Sequence, residues 1–224
     1  MKVCIVGMGY IGLPTALMMA ANGVDTVGAD LDGEKIARLR GGEVTFEEKG
    51  MKELFDRALK GKLRFSDRCV PADIYVIAVP TPYDRTTKKI DPTYVVNAVN
   101  GVLDVCPAGA VISIESTISP GTVDRFVRPA LAARGFVTGR DVHLAHTPER
   151  IIPGNMIYEL EHNSRTVGAD DPAVGEKVKT LYASFCKGEI VVTDVRTAEM
   201  SKVVENTFRD INIAFANELA RIRG

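Results

Sequence analysis

The sequence has no C-x-x-C pair, no block of five or more like charges, no low-complexity stretch and no internal repeat. Nor does any apolar run approach the roughly 18 residues of a membrane span. Each absence removes a class of function. Cys4, Cys69, Cys106 and Cys186 are far apart in sequence and follow no framework spacing. They exclude a disulfide-stapled secreted domain and fit a reducing cytoplasm, with buried inert thiols as the plain reading. A formal net charge of −1 with 25% charged residues gives no argument for nucleic acid or a membrane surface as partner. His143 and His146 tempt a metal reading, but three residues apart on a strand they face opposite sides, so no metal is expected. The N-terminus imitates a signal peptide, with Lys2 ahead of apolar residues up to "ALMMAANG". Three glycines and a proline interrupt that run, and it reads as strand, turn and helix.

What is present is ample for a core. With 224 residues, 46% of them hydrophobic, the chain is one large domain or one and a half at about 150 residues per domain. "KVCIVG" (2–7), "TVGAD" (26–30), "DIYVIAVP" (73–80), "AVISIES" (110–116) and "VHLAH" (142–146) read as strands. The longer ones are continuously apolar, as parallel strands covered on both faces are. Helical patterns lie between them at 11–22, 33–40, about 51–60, about 92–104, 120–134 and about 171–186. Ser119 reads as an N-cap ahead of Pro120 at the first helical position. "SRTVGA" (164–169) and "EIVVT" (189–193) read as further strands flanking the last of these helices. The alternation predicts an α/β fold, a Rossmann-like doubly wound, mostly parallel sheet over residues 1–195. A long amphipathic helix then begins at 196 and runs to 224.

"IVGMGYIG" places Gly7, Gly9 and Gly12 at G-x-G-x-x-G spacing. That pattern alone is weak. Here an apolar strand precedes it, a helix follows it, and a second strand ends at Asp30, 18 residues past Gly12; this is the context a dinucleotide site requires. Gly7 makes the tight turn, Gly9 lets backbone approach a pyrophosphate, and Gly12 allows close helix packing. Tyr10 and Ile11 lead into the helix, whose N-terminus offers N–H groups to phosphates. Asp30 would accept hydrogen bonds from the ribose hydroxyls and repel a 2′-phosphate, which predicts NAD rather than NADP. Lys35 either approaches the same ribose or is a solvated helix lysine. A glycine-rich turn without ligand is the alternative.

Two further loops leave the carboxyl ends of strands, where open α/β sheets bind ligands. Pro80, Thr81 and Pro82 form one, held extended by the prolines. Glu115, Ser116 and Thr117 form the other. A turn and a helix cap would account for each separately; together with the glycine loop they would line one crevice. "HTPERIIPG" brings Glu149 and Arg150 to the same edge, either as site residues or as a surface ion pair. In the last helix, Met200, Val204, Phe208, Ile211, Phe215, Leu219 and Ile222 make an apolar stripe, so that helix is expected to be held by packing. Lys202, Asn206, Arg209 and Asn217 share another side, which is a solvated face or one wall of a site.

The motifs "GMGYIGLPTA", "AVPTP", "ESTISPGT", "PERIIPG" and "RTAEMSKVVENTFRDINIAFANEL", in this order, resemble the UDP-glucose/GDP-mannose dehydrogenase superfamily over essentially the whole chain. The resemblance implies NAD-dependent, four-electron oxidation of a nucleotide sugar at C6 to the uronate, with two NAD and one water. It implies an aldehyde captured by a cysteine and a thioester released by water. Lys202 and Asn206 would hold the oxyanion, Thr117 would position water, and Glu149 would assist hydrolysis. Arg150, Arg209 and Asn217 would shape the sugar or diphosphate pocket. Pro153 stands where glucose-type members carry a second glutamate, which points to the N-acetylhexosamine branch, with UDP-N-acetyl-D-mannosamine favoured and the galactosamine and glucosamine derivatives open. The resemblance also implies that a helical dimerisation region, the nucleophilic cysteine and a nucleotide-binding domain would follow Gly224. The expectation is therefore a truncated cytoplasmic enzyme, inactive alone and a homodimer in full. A different β-hydroxyacid-type dehydrogenase, or a stand-alone NAD-binding regulatory module, is the competing reading.

Overall fold

The computed structural model describes residues 1–152 and 154–223. It is built on an eight-stranded sheet of order β10-β9-β8-β7-β4-β1-β2-β3. β1 (Lys2–Val6), β2 (Asp25–Ala29), β3 (Leu63–Ser66), β4 (Ile74–Ile77), β7 (Ala110–Ile114) and β8 (Val142–His146) run parallel. The chain moves outward from β1 through β2 to β3, then returns to the other side of β1 with β4. This reversal opens a crevice above the carboxyl ends of β1 and β4.

Alternate strand residues feed two cores. Val3 and Ile5 of β1 face a core with α1 (Gly12–Ala21), α2 (Gly33–Arg40), α3 (Met51–Leu59) and α7 (Pro172–Tyr182). Cys4 and Val6 face a second core with α4 (Thr93–Leu103) and α5 (Arg128–Ala133). Both strand faces are therefore covered, the physical reason that the strands read as continuous apolar runs. Cys4 and Cys69, 65 positions apart, meet here, and a hydrogen bond between the two thiols lowers the pKa of Cys4 and raises that of Cys69.

The elements without a strong sequence signal are short. β3 is half-buried, β5 (Tyr83–Asp84) and β6 (Lys89–Ile90) form a two-stranded hairpin, and α6 (Met156–His162) spans seven residues. The helix expected at 120–134 begins later, with a π-helical turn at Val123–Val127 that runs into α5. Ser119 is not its N-cap. The cap comes from Glu199, whose carboxylate accepts the Gly121 and Val123 N–H groups at 2.5 and 2.9 Å. Ser119 instead offers its carbonyl to the Thr122 hydroxyl at 2.6 Å.

β9 (Arg165–Ala169) pairs antiparallel with β8, and β10 (Ile190–Thr193) follows β9 in parallel. Because the chain between β8 and β9 stays at the ligand edge, β9 starts there, and its first residue, Arg165, is buried at that edge. α8 (Val195–Ile222) is capped by Asp194, which accepts the Thr197 N–H at 2.9 Å. Packing holds only its first two turns, where Val195, Ala198, Glu199 and Lys202 are buried. The apolar stripe does not pack as expected: Phe208, Ile211, Phe215 and Ile222 are 69%, 62%, 63% and 81% exposed. The helix contacts β8 and β9 at its start, and beyond Asn206 every described residue is exposed. No described helix is long and apolar enough to cross a membrane.

Candidate functional site

The glycine loop crosses from β1 to α1. Gly7 has φ +99°, and a Cβ there would lie 2.5 Å from the Ala78 carbonyl oxygen; a Cβ on Gly12 would lie 1.9 Å from the Gly7 carbonyl oxygen. Both glycines are required by close backbone approach. Gly9 differs, since a Cβ there meets nothing within 4 Å. Its backbone faces open space, as a pyrophosphate contact requires, and no side chain caps the N-terminus of α1. At the end of β2, Asp30 accepts the Met8 and Asp32 N–H groups at 2.7 and 3.0 Å and the Lys35 ammonium at 2.9 Å. Burial works against its charge, but these donors outweigh it and hold the carboxyl below its ordinary range. Lys35, partly exposed, is thus tied to Asp30. Met8, Gly9, Lys35, Thr45 and Phe46 line a hollow of about 300 Å³ beside them.

Sequence spacing gave no hint of the segment that closes this end. Phe46 packs on Tyr10 with ring centroids 5.0 Å apart. Glu48 accepts the Tyr10 hydroxyl at 3.1 Å and the Gly154 N–H at 3.0 Å, tying the glycine loop to the chain that follows Arg150.

A second cleft, of about 390 Å³, opens between the other loops. Its walls are Ile11, Pro80, Thr81, Ser116 and Thr117 on one side and Glu149, Lys202, Asn206 and Arg209 on the other. Thr81 donates to the Thr117 carbonyl at 2.8 Å and Ser116 to the Val79 carbonyl at 2.7 Å, so the two strand-end loops brace one another. Thr117, Glu149, Lys202 and Asn206, expected to act together, meet here. Arg209 also lines an adjoining hollow of about 750 Å³ with Arg150, Phe208 and Asn212. Arg150 pairs with Glu205. Pro82 is exposed just outside the cleft. Asn217 is exposed and, 15 residues beyond Lys202, lies about 22 Å further along the helix axis; it is not brought to the cleft. Pro153 lies outside the described residues.

Beneath the cleft is a buried cluster. Arg165 pairs with Glu149 and stands 3.5 Å from Glu115, its guanidinium carbon 4.6 and 5.5 Å from the ring centroids of Tyr182 and Phe185. The Tyr182 hydroxyl donates to Glu115 at 3.1 Å. Burial pushes the Glu115 carboxyl up to about 8 against the pull of Arg165. His146, at the end of β8, holds its Nδ1 2.8 Å from the Ile114 carbonyl, and burial lowers its pKa to about 4. Burial also lowers the pKa of Lys202, opposed by Glu149 and Glu205. None of the four cysteines lines the cleft.

Comparison with known proteins places this geometry. Residues 1–186 match the NAD-binding domain of the UDP-glucose/GDP-mannose dehydrogenase family, and residues 196–223 match that family's central domain. The chain belongs to this family. Its cofactor is NAD, and the open backbone at Gly9, the uncapped helix and the Asp30 carboxylate fit it. Among similar proteins, a UDP-N-acetyl-D-mannosamine dehydrogenase of Methanococcus aeolicus is 42% identical over 99% of this chain and 50% of its own length. One of Escherichia coli strain K12 is 38% identical over 98% of this chain and 54% of its own. The native structure of the UDP-N-acetyl-mannosamine dehydrogenase Cap5O from Staphylococcus aureus superposes with a TM-score of 0.90 at 44% identity, over 99% of this chain and 54% of that one. The chain thus spans about half the length of the curated relatives it matches.

Proposed function

We propose that these residues are the cofactor-binding and oxyanion-binding part of a dehydrogenase that oxidises a UDP-N-acetylhexosamine, UDP-N-acetyl-D-mannosamine foremost, at C6 to the uronate. The observation that carries the reading is the meeting of Thr117, Glu149, Lys202 and Asn206 in one cleft bounded by Ile11, Thr81 and Ser116. The names of the relatives support the substrate class.

Gly9, Asp30 and the Pro80–Pro82 loop would hold NAD, which would supply the hydride acceptor for both oxidations. The overall change is CH2OH plus water to carboxylate, with two hydrides to two NAD and three protons released. Lys202 and Asn206, one helical turn apart, direct an ammonium and an amide at the C6 oxygen and stabilise negative charge on it. Thr117 orients a water, and Glu149 accepts its proton. Arg209, facing both hollows, and Arg150 offer positive charge to the diphosphate. The thiol that would capture the aldehyde is not one of the four cysteines here, because Cys4 and Cys186 are buried and Cys69 and Cys106 pack in the core under α4.

The test uses two proteins. The 224 residues alone are expected to bind NAD by calorimetry and to yield no sustained NADH with UDP-N-acetyl-D-mannosamine; sustained NADH would overturn the assignment of the thiol. Fused to the carboxyl-terminal half of Cap5O, they are expected to yield two NADH per UDP-N-acetyl-D-mannosamine. A folded, NAD-binding fusion that prefers UDP-glucose would overturn the substrate.

A further inference from the structure

Lys202 sits among charges that are already committed to one another. Four charged groups face it: Glu149 from the loop after β8, Glu205 and Arg209 from α8, and Arg150 from the same loop as Glu149. Each acid has its own arginine. Glu205 pairs with Arg150 and Glu149 with Arg165, and no salt bridge reaches Lys202 among the described residues. In a shared cleft an ammonium and a carboxylate attract one another. Something must hold Glu149 back, and the structure identifies it.

We propose that Arg165 is a positioning residue: it fixes the Glu149 carboxylate to the floor of the cleft and so leaves the Lys202 ammonium without an ion-pair partner, its donors directed at the bound substrate. The inference rests on the roles given above to Lys202 and Glu149. Several features equip Arg165 for this. It is 3% exposed and starts β9, the strand whose reversal brings its amino end to the ligand edge. The Tyr182 and Phe185 rings lie within cation–π reach of its guanidinium. Burial works against the charge of its other carboxylate neighbour, Glu115, which stands further off at 3.5 Å. The Arg150 N–H, donating to the second oxygen of Glu149 at 2.6 Å, completes the grip.

The test reads the titration of Lys202 by heteronuclear NMR of the lysine side chains in the 224-residue chain, with the signal assigned by its loss in Lys202→Met. In Arg165→Met, Glu149 is released toward the ammonium, and the Lys202 pKa is expected to rise by about one to three pH units. Adding Glu149→Gln to that variant returns it. An unchanged Lys202 titration in folded Arg165→Met overturns the proposal. Should Arg165→Met not fold, Glu149→Gln alone decides. With Glu149 held by Arg165, the Lys202 pKa falls by less than about one pH unit; a larger fall means that Lys202 was already paired with Glu149, and the proposal fails. Because no sugar or NADH enters the measurement, its outcome is separate from that of the turnover experiment.

Discussion

The Glu199 carboxylate, in the second turn of α8, accepts the backbone N–H of Val123 at 2.9 Å and with it caps the π-helical turn that leaves the Ser116–Thr117 loop. The same carboxylate accepts the Gly121 N–H at 2.5 Å. One side chain thus fastens the helix bearing Lys202 and Asn206 to the turn that follows the Thr117 loop.

Replacing Glu199 by alanine is therefore expected to leave two N–H groups in a buried setting without partners. Hydrogen bonds to a charged group contribute about 1.5–3 kcal/mol each, and allowing for burial of the carboxylate itself, a loss of about 3 kcal/mol is predicted. Urea denaturation of the variant against the parent measures it. A loss below about 1 kcal/mol would mean that the cap contributes little.

Such long-range capping marks the boundary of what sequence can reveal. Continuous apolar runs identified the central strands because both of their faces are covered, and the strand–turn–helix around the glycine spacing was legible because Gly7 and Gly12 answer a local geometric demand. Thr81, Ser116, Thr117 and Glu149 could be placed at one edge since each follows a buried parallel strand. Arg165 could not. It reads as an ordinary residue at the start of a strand, and its meaning depends on β9 running opposite to β8, which no local pattern encodes. Glu48 and Phe46 are equally silent, being brought to Tyr10 from a loop 36 or more residues away. The apolar stripe of α8 was visible, but periodicity states that a face is apolar and not what covers it.

Two buried groups set opposite pH trends in stability. Glu115 has a folded pKa of about 8 against an ordinary 4.5. Its contribution is full below the unfolded value and is lost as pH rises through about 8. His146, at about 4 against 6.5, contributes fully above 6.5 and loses that contribution as pH falls through about 4. Stability should thus be highest in the mildly acidic range and decline toward alkaline pH. In Glu115→Gln the alkaline decline should flatten, while the acid limb persists. Midpoints of urea unfolding across pH test this; an unaltered alkaline slope in the variant would remove Glu115 as its source.

Under the proposed placement of the cofactor, the choice of NAD is expected to rest on Asp30. Asp30→Ala removes a carboxylate that accepts the Met8 N–H and that would also discriminate at the ribose, so absolute affinities are expected to fall for both dinucleotides. The ratio isolates the second role. Affinity for NAD is expected to drop by about 10- to 100-fold relative to NADP, the equivalent of one charge-assisted hydrogen bond. Equal losses by calorimetry would assign Asp30 to loop support alone.

The glycine loop offers the sharpest contrast, because its glycines serve different ends. At Gly12 an added Cβ would collide with the Gly7 carbonyl oxygen at 1.9 Å, a backbone atom that cannot rotate away. Gly12→Ala should therefore destabilise the fold by about 3 kcal/mol or more, in line with overpacking at a tight backbone crossing. At Gly9 the same methyl meets nothing within 4 Å, and the residue is not in the left-handed region, so Gly9→Ala should change stability by no more than about 0.5 kcal/mol. Its methyl would nevertheless stand where the pyrophosphate is proposed to approach, and NAD affinity should fall at least about 10-fold. Thermal unfolding and NAD calorimetry on the two variants read both quantities. A Gly9→Ala protein that keeps full stability and full NAD affinity would mean that the phosphates do not pass over this backbone, and the placement of the cofactor in the cleft would have to be redrawn from Asp30 outward.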